Sequence, residues 1–482
     1  MKTMIKKIYL VFFLVSISCI IYAKEKKPAL IVLTDIGGDP DDTQSLRRLL
    51  VYSNEFNILG FIATADNIPR PGYKHQINTK LILDAIDDYS KIRDNLLLHH
   101  PDYPTAESLR AVVKGGQVNR GAENLAMGKE TPGSKHIIEN VDANQGPIYI
   151  TIWGGAHDLA QALLDVKSTR TPKEVQKFIR KLRVYAISDQ DAINNIYSGT
   201  GEWIRTNFPD LWYVEPGSKL IHSMTASYRG MYQNDSKGGN HPTLPVVKPG
   251  VEKLNQQEWV HENIKSWGPL GQGYPNDVSQ NPGSERNTKG VKEGDTPSWF
   301  YVYPNGLNNP EFPSWGGWGG RFTQKTKHYF VEAEDFHWSG SEDASLRRKW
   351  TVARWREAYQ NDFAARMQWC LLPFEETNHN PIVIINKTKR RNNLKWKVKA
   401  GKTIAVDASS SYDPDGDMLS FKWWIYNECS SFGINLKNDE NAKLEVEIPP
   451  QPSNGDIHLI LEIKDNGQPE LTSYKRIILQ IK

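Results

Sequence analysis

Short apolar runs alternate with amphipathic segments through the first half of the chain. The runs are 29–33, 58–64, 148–153, 182–187 and 211–214, each of the length and β-branched character of a buried strand. Between them, segments 42–53, 74–88, 157–166 and 172–182 carry helical patterning. Strands that alternate with helices predict an α/β fold, a mainly parallel sheet with helices on both faces. From 216 to 313 the pattern dissolves into Gly, Pro, Asn and Trp, which suggests a long functional loop region. A helix returns over 351–369, with Val352, Trp355, Tyr359, Phe363 and Met367 at helical spacing and predicted to pack on the sheet. Pro373 and Asn378-His-Asn-Pro381 then mark a domain exit. Residues 381–482 alternate in short strands at 382–385, 403–406, 419–424, 444–448, 457–463 and 477–481. Turn signals separate them, so this part reads as an immunoglobulin-like β-sandwich.

The first strand breaks into Thr34-Asp35-Ile-Gly-Gly-Asp39-Pro-Asp41-Asp42, four carboxylates within eight residues. They land at the C-terminal edge of a parallel strand, where open α/β sheets place their ligands. Acids packed so closely repel one another unless a positive group sits among them, and a hard divalent cation with oxygen ligands meets that need. The plain alternative is an acidic solvated turn capping a helix that starts near Thr43. The strand-then-acids order favours a ligand.

Three further segments bear on this loop. A strand ends Ala63-Thr-Ala-Asp66-Asn67, another ends Trp153-Gly-Gly-Ala-His157-Asp-Leu-Ala160, and a late loop reads Glu293-Gly-Asp295-Thr-Pro-Ser298. Taken in order, the four pieces resemble the nucleoside hydrolases, and in particular a branch of secreted bacterial proteins named as cellulose-binding. The resemblance implies a Rossmann-like nucleoside-hydrolase fold. It also implies calcium (Ca2+) held by Asp35, Asp42, Asp295 and the carbonyl of Trp153. A coordinated water would attack, Asp35 would accept its proton as catalytic base, and Asp41 would grip sugar hydroxyls. Asn67 would lie beside the acid loop as a second substrate-binding residue. Five residues separate Asp35 from the Asp41-Asp42 pair, where the family has three, so Asp39 becomes a rival for Asp41's role. Gly294 stands where many family members carry a His, and Ser188-Asp-Gln-Asp191 replaces the sugar-binding Asn, Glu and Asn pattern. A nucleoside is therefore not the expected substrate. His157, at a helix opening, is read as a packing residue.

Charge and cysteine content narrow the classes. The formal charge of +3 is matched by Lys2, Lys6 and Lys7 near the N-terminus, and the rest of the chain is neutral. No basic field for nucleic acid is present. Those lysines, the apolar run 8–21 and Tyr22-Ala23 describe a signal peptide over 1–23, so the protein is expected to be secreted or periplasmic. Ser18-Cys19 also offers a lipoprotein site, although Ser16 replaces the usual Leu. No transmembrane stretch follows. Cys370 and Cys429 could pair in an oxidising compartment, but spacing does not establish it. Asp413, Asp415 and Asp417, in a segment that resembles a PKD-type module, offer a possible second calcium site.

The expected organisation is a signal peptide (1–23), a nucleoside-hydrolase-like domain (24–376) and a β-sandwich (377–482). The expected function is calcium-dependent hydrolysis of a glycosidic bond in extracellular carbohydrate. The alternative is a non-catalytic protein that binds cellulose or another polysaccharide through the same fold.

Overall fold

The computed structural model describes residues 26–66, 74–195, 198–217, 225–232, 245–276, 289–389, 391–451 and 454–482. The signal segment and Asn67 lie outside them. Eight strands make one sheet: β1 (Ala29–Thr34), β2 (Asn57–Ala63), β3 (Val113–Gly115), β4 (Ile148–Ile152), β5 (Leu182–Ala186), β6 (Trp212–Val214), β7 (Phe322–Gln324) and β8 (Tyr329–Glu332). Their order is β3-β2-β1-β4-β5-β6-β8-β7. All pairings are parallel except β7 with β8.

Every residue of β1 is buried, because both sheet faces are covered. Helices α1 (Pro40–Val51) and α2 (Thr79–Ser90), with the helix Arg356–Gln368, pack on one face. Helices Pro132–Ala143, His157–Thr169 and Pro172–Ile179 pack on the other. From β1 the chain moves to β2 on one side and later returns to β4 on the other. In open α/β sheets such a reversal is where the ligand crevice lies, beyond the strand ends. Leu33 pairs with Ile152, so Asp35 and Trp153 emerge side by side.

Two helical expectations change. Helix α1 begins at Pro40, not near Thr43, because Pro40 fixes a helical φ and Asp39 holds the extended N-cap conformation. Asp41 and Asp42 therefore belong to the first helical turn. The predicted 351–369 helix is two helices, Ala344–Ala353 and Arg356–Gln368. The break turns Trp355 onto Trp424 and Tyr474.

The C-terminal region holds β9 (Leu394–Val398), β10 (Thr403–Asp407), β11 (Ser420–Ile425), β12 (Lys443–Glu447), β13 (Gly455–Lys464) and β14 (Thr472–Ile481). Sheet β11-β13-β14-β9 faces the pair β10-β12. Trp423, Leu461 and Leu479 meet Val406, Leu444 and Val446 in one core, so the region is a two-layer β-sandwich. The predicted strand at 382–385 makes only single bridges at Ile382 and Ile385. Ile385 instead plugs the sandwich core.

Strand β13 buries both faces. Leu459 and Leu461 enter the sandwich core, while Ile460, with Tyr426 and Tyr474, joins the core of the α/β layer beside Trp318 and Trp355. Asp335 accepts from Arg321 Nε at 2.6 Å, Arg354 Nη1 at 2.8 Å and the Tyr426 hydroxyl at 2.7 Å across this junction. Cys370 and Cys429 are free thiols, so the disulfide considered above is not formed. Asp415 accepts from the His379 backbone at 2.7 Å, and Asp413 accepts from the backbones of Asp415 and Asp417 at 2.8 and 3.3 Å. No helix among the described residues is long and apolar enough to cross a membrane.

Candidate metal centre

The acid loop is braced by its neighbours. Gly37 takes φ +103°, a left-handed conformation that suits glycine, and Asn78 fills the space a side chain there would need. Asn78 Nδ2 also donates to the Ile36 carbonyl at 2.9 Å. Thr34 Oγ1 donates to Asp42 Oδ1. Gly154 lets β4 approach Asp35, since a Cβ there would lie 2.5 Å from both Cβ and Cγ of Asp35.

The late loop is held by a buried ion pair. Arg48, two turns along α1 from Asp41, donates to Glu293 through Nε at 2.6 Å and Nη2 at 3.0 Å. The Tyr274 hydroxyl (2.5 Å) and Thr296 Oγ1 (2.7 Å) complete the Glu293 carboxylate. Ser298 Oγ donates to the Asp295 carbonyl at 2.6 Å and accepts from the Trp153 indole at 2.9 Å. Helix α1, β4 and the late loop are thereby tied around one point.

At that point, one carboxylate oxygen from each of Asp41, Asp42 and Asp295 lies within 4.8 Å of the others, and all three residues are buried. Asp295 has zero exposure, and neither of its oxygens has a hydrogen-bond partner among the described residues. Asp35 stands beside the trio, near Asp42. Burial pushes Asp35 up to about 6 against the pull of Arg120, and burial together with Asp39 pushes Asp41 up to about 7. Burial and the neighbouring acids raise Asp42 and Asp295 well above the usual carboxylate range.

Two cations answer part of this charge. Arg120 is 3% exposed; its Nη1 lies 3.9 Å from Asp35 Oδ2 and its Nε 3.3 Å from Asp191 Oδ1. It is anchored by the carbonyls of Ala65 (3.1 Å), Asp66 (3.3 Å) and Gln190 (2.9 Å). Lys292 pairs with Asp39, which keeps 43% of its side chain exposed at the rim. Among the described residues, Asp35, Asp39, Asp41, Asp42, Asp191 and Asp295 thus face Arg120 and Lys292. The orphaned oxygens of Asp295 and the all-oxygen donor set fit a hard divalent cation.

The other expected residues fall as follows. The Trp153 carbonyl, just past the end of β4, accepts from the Gln190 amide. His157 is buried in its helix and is not part of the acid group. Asp158 accepts from Thr131 Oγ1 at 2.6 Å and the Gln117 backbone at 3.1 Å, a structural role. A Cβ on Gly294 would lie 2.9 Å from the Tyr232 hydroxyl and 3.3 Å from Asp41 Oδ2. A phenol from a distant turn therefore occupies the space that a side chain at 294 would take. Arg120, Lys292 and Tyr232 escaped sequence reasoning. Lys292 alone had a signal, its closeness in sequence to Asp295.

The family described as cellulose-binding Sde182, nucleoside hydrolase-like domain, matches residues 29–322. The chain belongs to this family. Its second region matches the C-terminal domain of cellulose-binding protein Sde0182 over residues 403–481. A nucleoside hydrolase-related hypothetical protein from Saccharophagus degradans, associated with carbohydrate metabolism, is similar in structure. It is 29% identical with a TM-score of 0.75, over 95% of this chain and 100% of that one. The inosine-uridine preferring nucleoside hydrolase of Bacillus anthracis is 12% identical with a TM-score of 0.34, over 72% of this chain and 100% of that one. At such values the latter likeness has no bearing on the chemistry. No curated protein matches the chain.

Proposed function

We propose that the crevice holds calcium and hydrolyses a glycosidic bond of extracellular carbohydrate, the protein being exported by residues 1–23. The observation that supports this most directly is Asp295, a carboxylate at zero exposure whose two oxygens meet no donor among the described residues. Such a group is costly unless a cation or a proton completes it. A bound calcium would supply a positioned water of lowered pKa.

The chain's own groups divide the remaining work. Asp41, Asp42 and Asp295 offer oxygens to the cation. Asp35 accepts a proton from the attacking water, and Arg120 at 3.9 Å keeps that carboxylate oriented toward the crevice. Asp39, half exposed and steered by Lys292, and Tyr232 beside Asp41 face the rim, where sugar hydroxyls enter. The clustered carboxylates also stabilise the positive charge that develops on the sugar ring as the bond breaks.

The family description favours a second reading, a polysaccharide-binding protein that uses the crevice without cleaving. One experiment separates the two. Calcium content is measured after chelation and readdition, and reducing ends are counted from soluble and insoluble glycans. The enzyme reading expects calcium-dependent release by the parent. It also expects a loss of about 10²–10⁴-fold in Asp35→Asn with calcium still bound, the usual scale for a general base. A parent that holds calcium and insoluble glycan yet releases no reducing ends establishes the binder.

A further inference from the structure

Far from the acid trio, two imidazoles lie edge to edge where the helix Arg93–His99, the segment after the helix Arg356–Gln368 and the β-sandwich meet. His99 Nδ1 and His379 Nε2 are 2.9 Å apart, and the ring planes differ by 26°. The outer nitrogen of each ring is also engaged. His99 Nε2 lies 2.9 Å from the Leu372 carbonyl, which can only accept, so this nitrogen carries a proton. His379 Nδ1 lies 2.9 Å from Asp415 Oδ1, and Asp415 Oδ2 accepts from the His379 backbone at 2.7 Å. The Asp415 carboxylate, in the turn between β10 and β11, can likewise only accept, so His379 Nδ1 carries a proton too. Asp415 is thereby committed to His379 rather than to the second calcium site considered from the sequence. Thr377 Oγ1, 3.5 Å from His99 Nδ1, has its shorter contact with the Phe374 carbonyl, at 3.3 Å.

Neutral imidazoles hold one proton each, and the two outer contacts use both. That would leave two lone pairs facing each other at 2.9 Å, which repel. A third proton between the rings turns the repulsion into a hydrogen bond. The surroundings suit the charge it brings. Trp369 lies parallel to both imidazoles, at 5.0 Å and 6° for His99 and at 5.0 Å and 20° for His379. Phe374 lies parallel to His379 at 3.8 Å and 15°. Aromatic faces attract a cation. Burial lowers both rings, and Arg366 also lowers His379, while Asp415, Asp413 and Glu375 work the other way. The 2.9 Å contact decides between them, because it forms only with the proton in place. We propose that His99 and His379 share one extra proton at neutral pH, and that this proton latches the β-sandwich to the α/β layer. Three hydrogen bonds then run from the Leu372 carbonyl through His99 and His379 to Asp415. A second extra proton is refused, since burial and the neighbouring His379 hold His99 down to about 4. The folded protein binds the shared proton more tightly than the unfolded chain, whose histidines titrate near 6.5. Its stabilisation is complete below that pH and is lost as pH rises through the folded value, where lone pair meets lone pair and the latch opens.

The test uses the full-length protein in chelator, with its histidine ring nitrogens labelled with nitrogen-15. At pH 7.5 the parent's magnetic-resonance spectrum is expected to contain a histidine protonated on both ring nitrogens, and His379→Gln to lose that signal. Stability is then compared from pH 6 to pH 9 by denaturant unfolding. His99→Asn offers a carboxamide that can donate to His379 Nε2 without an added proton, so it keeps the contact and drops the proton. Above pH 6.5 the parent's folding constant should fall, relative to that variant, by about tenfold per pH unit until the shared proton has left. Asp415→Asn gives a second comparison. It keeps an acceptor for His379 but removes the negative charge, so the same decline should begin at lower pH than in the parent. A parent spectrum with no doubly protonated ring overturns the latch, and so does a difference between parent and His99→Asn that stays constant with pH.

Discussion

A carboxylate that is wholly buried and accepts no hydrogen bond opposes the fold that holds it, and Asp295 is in that position. Without a cation it must either hold a proton or carry an unpaired charge among Asp41, Asp42 and Asp35. An amide of the same shape removes this conflict and brings two donors to oxygens that have few. Asp295→Asn is therefore expected to melt no lower than the parent in chelator at pH 8. The same variant should lose the stabilisation by calcium, which for the parent is about 2.7 kcal/mol at a hundred times Kd. Melting curves with and without calcium check both halves. A variant that melts lower in chelator, or still rises with calcium, removes Asp295 from the site. Sequence reasoning singled out Asp35, Asp42 and Asp295 as ligands because each follows a recognisable strand end or loop, and gave Asp41 to sugar, whereas the structure gathers Asp41 with Asp42 and Asp295. Arg120 was not legible. It follows a three-residue strand with no periodic pattern, and its importance comes only from where β3 docks beside β2.

At the scale of elements, the site is a consequence of how α1 is fastened. Arg48 lies over the Phe363 ring at 3.9 Å and reaches Gln360 Oε1 at 2.6 Å as well as Glu293. Helix α1, the late loop and the helix Arg356–Gln368 are joined at one guanidinium with zero exposure. Removing one partner of such a pair strands a buried charge, so Arg48→Met is expected to cost about 3–5 kcal/mol. Adding Glu293→Leu should restore much of that stability, because the stranded charge goes with it. Urea unfolding of the single and double variants measures this, and an unchanged midpoint in Arg48→Met would show the clamp to be dispensable. The alternation of β and α elements that builds this layer was readable from hydrophobic runs alone. The helix start was not, because Pro40 and the acids look like loop residues until Asp39 is seen at the N-cap position before them. The apolar run at 382–385 misled for a related reason. Apolarity marks burial, and Ile385 is buried as a plug rather than as a paired strand. The strand β9, with Leu394, Trp396 and Val398 alternating with lysines, was the quieter signal.

The whole molecule is held together at a junction whose charges are as buried as its aromatic rings. Glu55, 7% exposed, sits at the end of the first α/β crossover. It pairs with Arg366 Nη2 at 3.3 Å on the helix Arg356–Gln368, and with Arg391 Nη1 at 2.6 Å on the lead into β9. Burial alone would raise this carboxyl, but the two guanidinium groups prevail and hold it at about 2, below its ordinary 4.5. A carboxyl with a depressed folded-state pKa binds fewer protons in the native state than in the unfolded chain. Its contribution is complete above pH 4.5 and fades as pH falls toward 2. Glu55→Gln is accordingly expected to destabilise the full-length protein by on the order of 2–3 kcal/mol at pH 7. The gap should narrow steadily between about pH 5 and pH 3, where the parent carboxylate loses its advantage over an amide. Because Ile460, Tyr426 and Tyr474 belong to the same core as Trp318 and Trp355, the loss should appear in one cooperative transition that includes the β-sandwich. Denaturant unfolding of parent and variant at stepped pH, followed by tryptophan fluorescence and far-ultraviolet dichroism together, reads both features. A gap that stays constant with pH would mean that Glu55 acts through packing alone, and separate transitions would mean that the two layers fold independently despite the core they share.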